Sequence, residues 1–131
     1  MKIYLIILLL LYTCSGVFSQ TQNQMNIAAK SKFELADRRL NSVYQKILSE
    51  YKDDVTFTES LRVSQRLWIK FRDAEMLVKF PEKETSFYGS VFLMCWYSYK
   101  EELTMERVKR LQVWLTRTEE GDACRGSIKF K

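Results

Sequence analysis

The sequence predicts an all-α protein, a small bundle of three long helices with a short C-terminal tail. Three observations lead there. The 131 residues include only four glycines and one proline, too few for a sandwich or barrel, which needs a turn signal about every ten residues. Hydrophobic residues make up 47% of the chain, which excludes a disordered polypeptide. Apolar residues also recur at steps of three and four through three long segments, the spacing of one helix face.

The first segment does not belong to the bundle. Residues 1–19, MKIYLIILLLLYTCSGVFS, place Lys2 before an unbroken apolar run over residues 3–12 and then small and polar residues, the layout of a secretory signal peptide. About ten apolar residues fall short of the roughly twenty that span a bilayer, so no transmembrane segment is expected in the mature chain. Val17-Phe18-Ser19 fits cleavage before Gln20. Leu11-Tyr12-Thr13-Cys14 offers a second reading, lipid anchoring through Cys14. Under either one the chain is exported, to a periplasm or beyond. Removing 19 of 131 residues leaves 112, and the loss of Lys2 reduces the formal charge from +5 to +4.

The first bundle helix is expected over residues 23–51, with Ile27, Phe33, Ala36, Leu40, Val43, Tyr44, Ile47, Leu48 and Tyr51 on one stripe and Lys30, Lys32, Arg38 and Arg39 on the solvated side. Lys52-Asp53-Asp54 breaks it, and Thr56 or Thr58 is the expected cap of the second helix, residues 58–79. That helix is less regular. Leu61, Trp68 and Phe71 lie near one side with Val63, Leu67, Ala74, Leu77 and Val78 beside them, a pattern expected of core on more than one flank. Gln65, Arg72 and Glu75 share the Trp68 side, which predicts a hydrogen-bonded polar network between helices. Pro81 ends the helix, and residues 82–89 read as a loop.

The third helix is expected over residues 90–117. Residues 91–97 are apolar all round, which means burial on every side or an exposed sticky patch. Further on, Leu103, Leu111 and Trp114 form the inner stripe, with Arg107 outside. Gly121 is the expected left-handed cap. Residues 122–131 form a basic tail, so the organisation is signal 1–19, helical domain 20–121 and tail 122–131. Cys95 and Cys124 remain after export. They are either bridged, tying tail to third helix, or two free thiols with Cys95 buried.

The absence of histidine removes the commonest general base and metal ligand. No catalytic residue, metal site or cofactor is expected. Asp37 and Glu75 are two acids that could converge, but Arg72 beside them would keep both ionised, and Cys95 has no base to activate it.

Met25-Asn26-x-Ala28-Ala29 is followed by Phe33-x-x-Ala36-Asp37-x-x-Leu40-Asn41-x-x-Tyr44. The second helix carries Gln65-Arg66-x-Trp68-Ile69-x-Phe71-Arg72-Asp73-Ala74-Glu75. Gly89-Ser90 and then Glu102-Leu103-Thr104-x-x-Arg107-x-x-x-Leu111 complete the series. In this order, over residues 24–111, the chain resembles the secreted family named after the lysozyme inhibitor LprI. Where that family often keeps cysteines this chain has Ala28, Met76 and Tyr99, so the resemblance implies a fold held by core packing, with those positions buried. Cys95 lies one turn before Tyr99, where a relocated bridge to Cys124 would start. Asn26, Asp37 and Asn41 share one helix face, and Arg72 and Asp73 reach it from an antiparallel neighbour, with Asp37 and Arg72 the natural pair. Two roles are open for these residues: fixing helix register or contacting a ligand.

The resemblance implies a binding protein that occludes the cleft of lysozyme with a loop or helix edge. Animal c-type lysozymes are cationic, so contact is expected at acids: Glu50, Asp53, Asp54 and Glu59 around the first loop, with Glu82 and Glu84 as the alternative and Glu119, Glu120 and Asp122 a further cluster. A second hypothesis is an envelope module that binds an anionic polymer or membrane surface through Lys30, Lys32, Arg38 and Arg39, or through Arg125, Lys129 and Lys131. A third is self-association through residues 91–97. Nucleic acid is not an expected partner, because interleaved exposed aromatics are lacking.

Overall fold

The computed structural model describes the backbone of residues 2–131 and the side chains of residues 21–131. The export-signal reading of residues 1–19 and the Cys14 anchor lie outside the residues so described. Three long helices account for the fold: α1 (Lys2–Glu50), α2 (Val55–Lys79) and α3 (Phe92–Thr116), with a 3-10 turn at Thr85–Tyr88. Among the described residues no helix is long and apolar enough to cross a membrane.

The α1 stripe is buried as its spacing requires. Leu40, Val43, Ile47, Leu48 and Tyr51 meet Leu61 of α2 and Val108 and Leu111 of α3, flanked by Tyr44, Phe57, Trp68, Met105 and Trp114. Every buried side chain among the described residues lies between Ala29 and Leu111, so residues 20–131 contain the whole of that core. Asn26 touches the start of α3 and Tyr51 its end, so α1 and α3 run parallel and α2 returns between them. The backbones of α1 and α3 approach closely, while α2 stands further off. Side-chain size accounts for the asymmetry. Ala29 and Ala36 on α1 and Thr104 and Val108 on α3 are small and buried, whereas α2 turns Gln65, Arg72 and Met76 inward.

Several local expectations are corrected. Asp54, not Thr56 or Thr58, caps α2, its side chain accepting from the Phe57 amide at 2.9 Å. Thr58 is buried instead and donates to the Val55 carbonyl. The loop at 82–89 contains the 3-10 turn, in which Tyr88 Oη accepts from the Glu82 amide at 2.8 Å. The inner stripe of α3 centres on Thr104, Val108 and Leu111 rather than on Leu103, which is half-buried. That helix stops at Thr116, five residues before Gly121, and Arg117 takes the left-handed backbone at φ 64°. Such a conformation costs a non-glycine residue about 1 kcal/mol or more, and tail contacts offset it.

The tail is not a free basic extension. It folds back as a bridge between Thr118 and Phe130, with the Thr118 amide donating to the Lys129 carbonyl and the Lys131 amide to the Thr118 carbonyl, both at 3.0 Å. Tyr51 anchors it. The phenol donates to the Trp114 carbonyl at 3.0 Å and accepts from the Lys129 amide at 3.1 Å. The indole of Trp114 donates to Ser127 Oγ at 3.0 Å. One side chain just past the end of α1 thereby ties the end of α3 to the returning chain.

Replacing Tyr51 by Phe keeps the ring and removes both bonds. The expected result is a loss of about 1–2 kcal/mol in chemical denaturation and faster hydrogen exchange at Lys129, with the α1 and α3 core amides less affected.

Candidate functional site

The polar residues singled out by spacing gather along the inner side of α2, and Arg72 is their centre. It is 8% exposed. Its Nη1 lies 3.5 Å from Asp37 Oδ1 on α1, and its Nε donates to Asp73 Oδ1 at 3.1 Å. The guanidinium carbon sits 5.2 Å from the Trp68 ring centroid and 6.0 Å from that of Phe33, so a delocalised cation that is costly to desolvate meets carboxylates and aromatic faces. Lys100 of α3 joins at 3.8 Å from Asp73.

Two turns back along α2 a second node forms. Arg107 of α3 donates from Nε to Gln65 Oε1 and from Nη2 to Ser64 Oγ, each at 3.0 Å, and its guanidinium lies 5.8 Å from Trp68. Partial burial and the neighbouring Arg110 lower the pKa of Arg107, although an arginine stays protonated in proteins. Trp68 therefore has two guanidinium neighbours, one from its own helix and one from α3. The sequence put Arg107 outside. Its spacing of four from Leu111 was the signal that it borders the inner stripe.

Asn26 has a different task. Its Oδ1 accepts from the Met94 amide at 3.1 Å and its Nδ2 donates to the Ser90 carbonyl at 3.3 Å. Val91, at the α3 N-cap, makes no side-chain cap bond, so an asparagine 68 residues before Met94 supplies it. Gln22 steadies Asn26 by donating to the same Oδ1. Asn41 is exposed, with no side-chain bond among the described residues.

The two acids considered for proton transfer do not converge. Asp37 goes to Arg72, while Glu75 accepts from the Tyr99 phenol at 3.4 Å, beneath Lys79 at 3.6 Å from that ring. Partial burial pushes the Tyr99 phenol up, and the carboxylates of Glu75, Glu102 and Glu106 push the same way. Among the described residues no cluster of acids and cysteines has the make-up of a metal site.

Both cysteines are free and exposed, which corrects the bridge reading and the burial of Cys95 alike. Cys95 is in the first turn of α3 and Cys124 lies beyond its last, and 21 residues of helix at 1.5 Å each separate the two ends by about 30 Å. Of the positions where cysteines were expected, Met76 is buried, Tyr99 half-buried and Ala28 exposed. Residues 91–97 are neither buried all round nor wholly exposed. Phe92 and Trp96 pack with Phe80, while Val91 and Leu93 stay exposed.

The loop acids divide in two. Glu50 pairs with Lys46 at 3.9 Å and Arg117 at 3.8 Å, its carbonyl accepts from Lys129 Nζ, and Asp54 is consumed as the α2 cap. Asp53 and Glu59 are exposed and unpaired among the described residues. Glu50, Tyr51, Asp53, Asp54, Ser127 and Lys129 line a cavity of about 340 Å³. In the alternative clusters Glu84 accepts from Ser86, Glu119 pairs with Lys131, and Asp122 accepts from Thr118. Of the proposed cations, Lys30 pairs with Glu34, Arg125 donates to the Ile128 carbonyl, and Lys129 and Lys131 are held as above.

Comparison with known proteins gives one family match: the model described as "Lysozyme inhibitor LprI" fits residues 14–111. Neither the curated proteins nor the solved structures contain a match.

Replacing Asn26 by Ala should cost about 1 kcal/mol and raise hydrogen exchange selectively at Met94 in the first turn of α3. For the central pair, a double-mutant cycle of Asp37→Ala and Arg72→Ala in urea should give a coupling of about 0.5–1 kcal/mol, because Asp37 is 43% exposed and water screens the pair. Arg72→Ala alone should cost more than that coupling, through lost packing on Trp68.

Proposed function

Because the chain belongs to the lysozyme inhibitor LprI family, we propose that it is an exported, non-catalytic protein that binds lysozyme and occludes its cleft. Residues 1–19 serve as the export signal, with anchoring through Cys14 as the alternative, and residues 20–121 form the binding domain, closed at one end by residues 122–131. The family match carries this reading. Asp53 and Glu59 support it in detail. They flank the α1–α2 turn with no internal partner, so a cationic enzyme can engage them without breaking an existing ion pair. Glu50 and Asp54 contribute background potential only, since each already has a structural task. Asn26, Asp37, Gln65, Trp68, Arg72 and Asp73 act by holding the helices in register, and Asn41, exposed and unbonded, is the motif residue free to contact a ligand.

Titration of residues 20–131 against c-type lysozyme, with cell-wall lysis and complex formation read together, is the test. Inhibition and a complex at micromolar protein are expected, and neither at that concentration would overturn the reading. Asp53→Asn with Glu59→Gln should weaken the complex several-fold and flatten its salt dependence, while leaving the denaturation midpoint unchanged.

A further inference from the structure

α2 is apolar on two opposite sides, and only one is covered. Leu61, Gln65, Arg72 and Met76 face inward. At 100° per residue, Val63, Leu67, Phe71, Ala74 and Val78 fall within an arc of about 80° on the outer side and extend over about 22 Å of helix. All five are exposed, Leu67 at 59%, Phe71 at 56% and Val78 at 73%. The second apolar flank read from the sequence is therefore an unpartnered surface.

Its border identifies the occupant. Arg62, Arg66 and Lys70 stand one per turn along one edge, exposed and without an ion pair among the described residues. The acids near that edge are engaged or terminal: Asp73 is held by Arg72 and Lys100, and Glu59 lies in the first turns of α2. On the other side Glu75 accepts from Tyr99. An aliphatic and aromatic arc beside a row of uncompensated cations is the composition of a helix that lies in the plane of an anionic bilayer. A second copy fits poorly. Antiparallel pairing across this arc sets each cationic edge against the same edge of its neighbour. A cationic lysozyme is repelled along that edge as well, and the arc meets the α1–α2 turn only at its first turn, where Glu59 lines a shallow depression with Val63 and Leu67.

We propose that the outer face of α2 docks on an anionic phospholipid surface, with Leu67 and Phe71 entering the boundary between headgroups and acyl chains and Arg62, Arg66 and Lys70 meeting lipid phosphates. The test uses residues 20–131, which contain every buried side chain among the described residues, with both cysteines replaced by serine and a single environment-sensitive fluorophore attached through Leu67→Cys, or through Lys109→Cys on α3 as control. Phosphatidylglycerol-containing vesicles should blue-shift the label at 67 and expose it to lipid-borne quenchers. The control label should not respond, nor should either label on pure phosphatidylcholine. Arg62→Gln, Arg66→Gln and Lys70→Gln together should reduce vesicle binding at least about tenfold, with unchanged helicity by circular dichroism. No shift at 67 on anionic vesicles, an equal shift on neutral ones, or a shift that grows with protein concentration in the absence of lipid would overturn the proposal.

Discussion

A buried guanidinium is tolerated only where carboxylates, hydrogen-bond acceptors or aromatic faces replace its water. Arg72 meets that requirement at one place in the bundle, between Asp37 of α1, Asp73 of its own helix and the rings of Trp68 and Phe33. Sliding α2 by a turn would carry it away from Asp37 and Phe33 together. The register of α2 against α1 therefore follows from one cation, and Arg107 repeats the device from α3 through Gln65, Ser64 and the same indole. Breadth matters as much as charge. Long inward side chains hold α2 away from a pair of helices whose buried residues include the small Ala29, Ala36, Thr104 and Val108.

That closer pair, α1 and α3, is pinned at both ends by polar side chains, one within α1 and one just past its end. Asn26 caps the first turn of α3, and Tyr51 accepts and donates at its last. These bonds join residues more than sixty positions apart, where no local turn could bring the partners together. They cross-link the helices without a disulfide among the described residues. Cys95 and Cys124 stand free at opposite ends, and packing with paired polar groups holds the helices together.

The same economy of polar groups shapes the surfaces left for partners. Internal tasks take up Glu50, Asp54, Glu119 and Asp122, and most of the basic tail with them, so neither the acidic loop nor the tail presents the full charge its composition implies. Among the charged groups left without an internal partner are Asp53 and Glu59 at the α1–α2 turn, Lys32, Arg38 and Arg39 on α1 and Glu120 beyond α3, and beside Glu59 begins the apolar arc of α2 with its cationic border. Two surfaces of opposite character can serve an inhibitor that meets a cationic enzyme with one and an anionic boundary with the other.

Much of this was legible in the residues. Periodicity located α2, α3 and the C-terminal end of α1 to within a few residues, since a stripe at steps of three and four has to be buried somewhere, while α1 begins at Lys2 rather than at the expected residue 23, and the motif spacing led to the family and to the Asp37–Arg72 pair. The misses share one cause. Gly121 was the better cap by local preference, yet α3 ends at Arg117 because the returning tail bonds to Thr118. Arg107 looked solvated on its own helix, yet it is the neighbouring helix that offers it Gln65 and Ser64. Leu67 and Phe71 read as core, yet no third layer covers them. Sequence alone determined which segments coil into helices and which faces are apolar, because both depend on near neighbours in the chain. Tertiary structure decided which apolar faces are covered and which polar groups cap, pair or remain free, because those outcomes depend on partners that only packing brings within a hydrogen bond's reach.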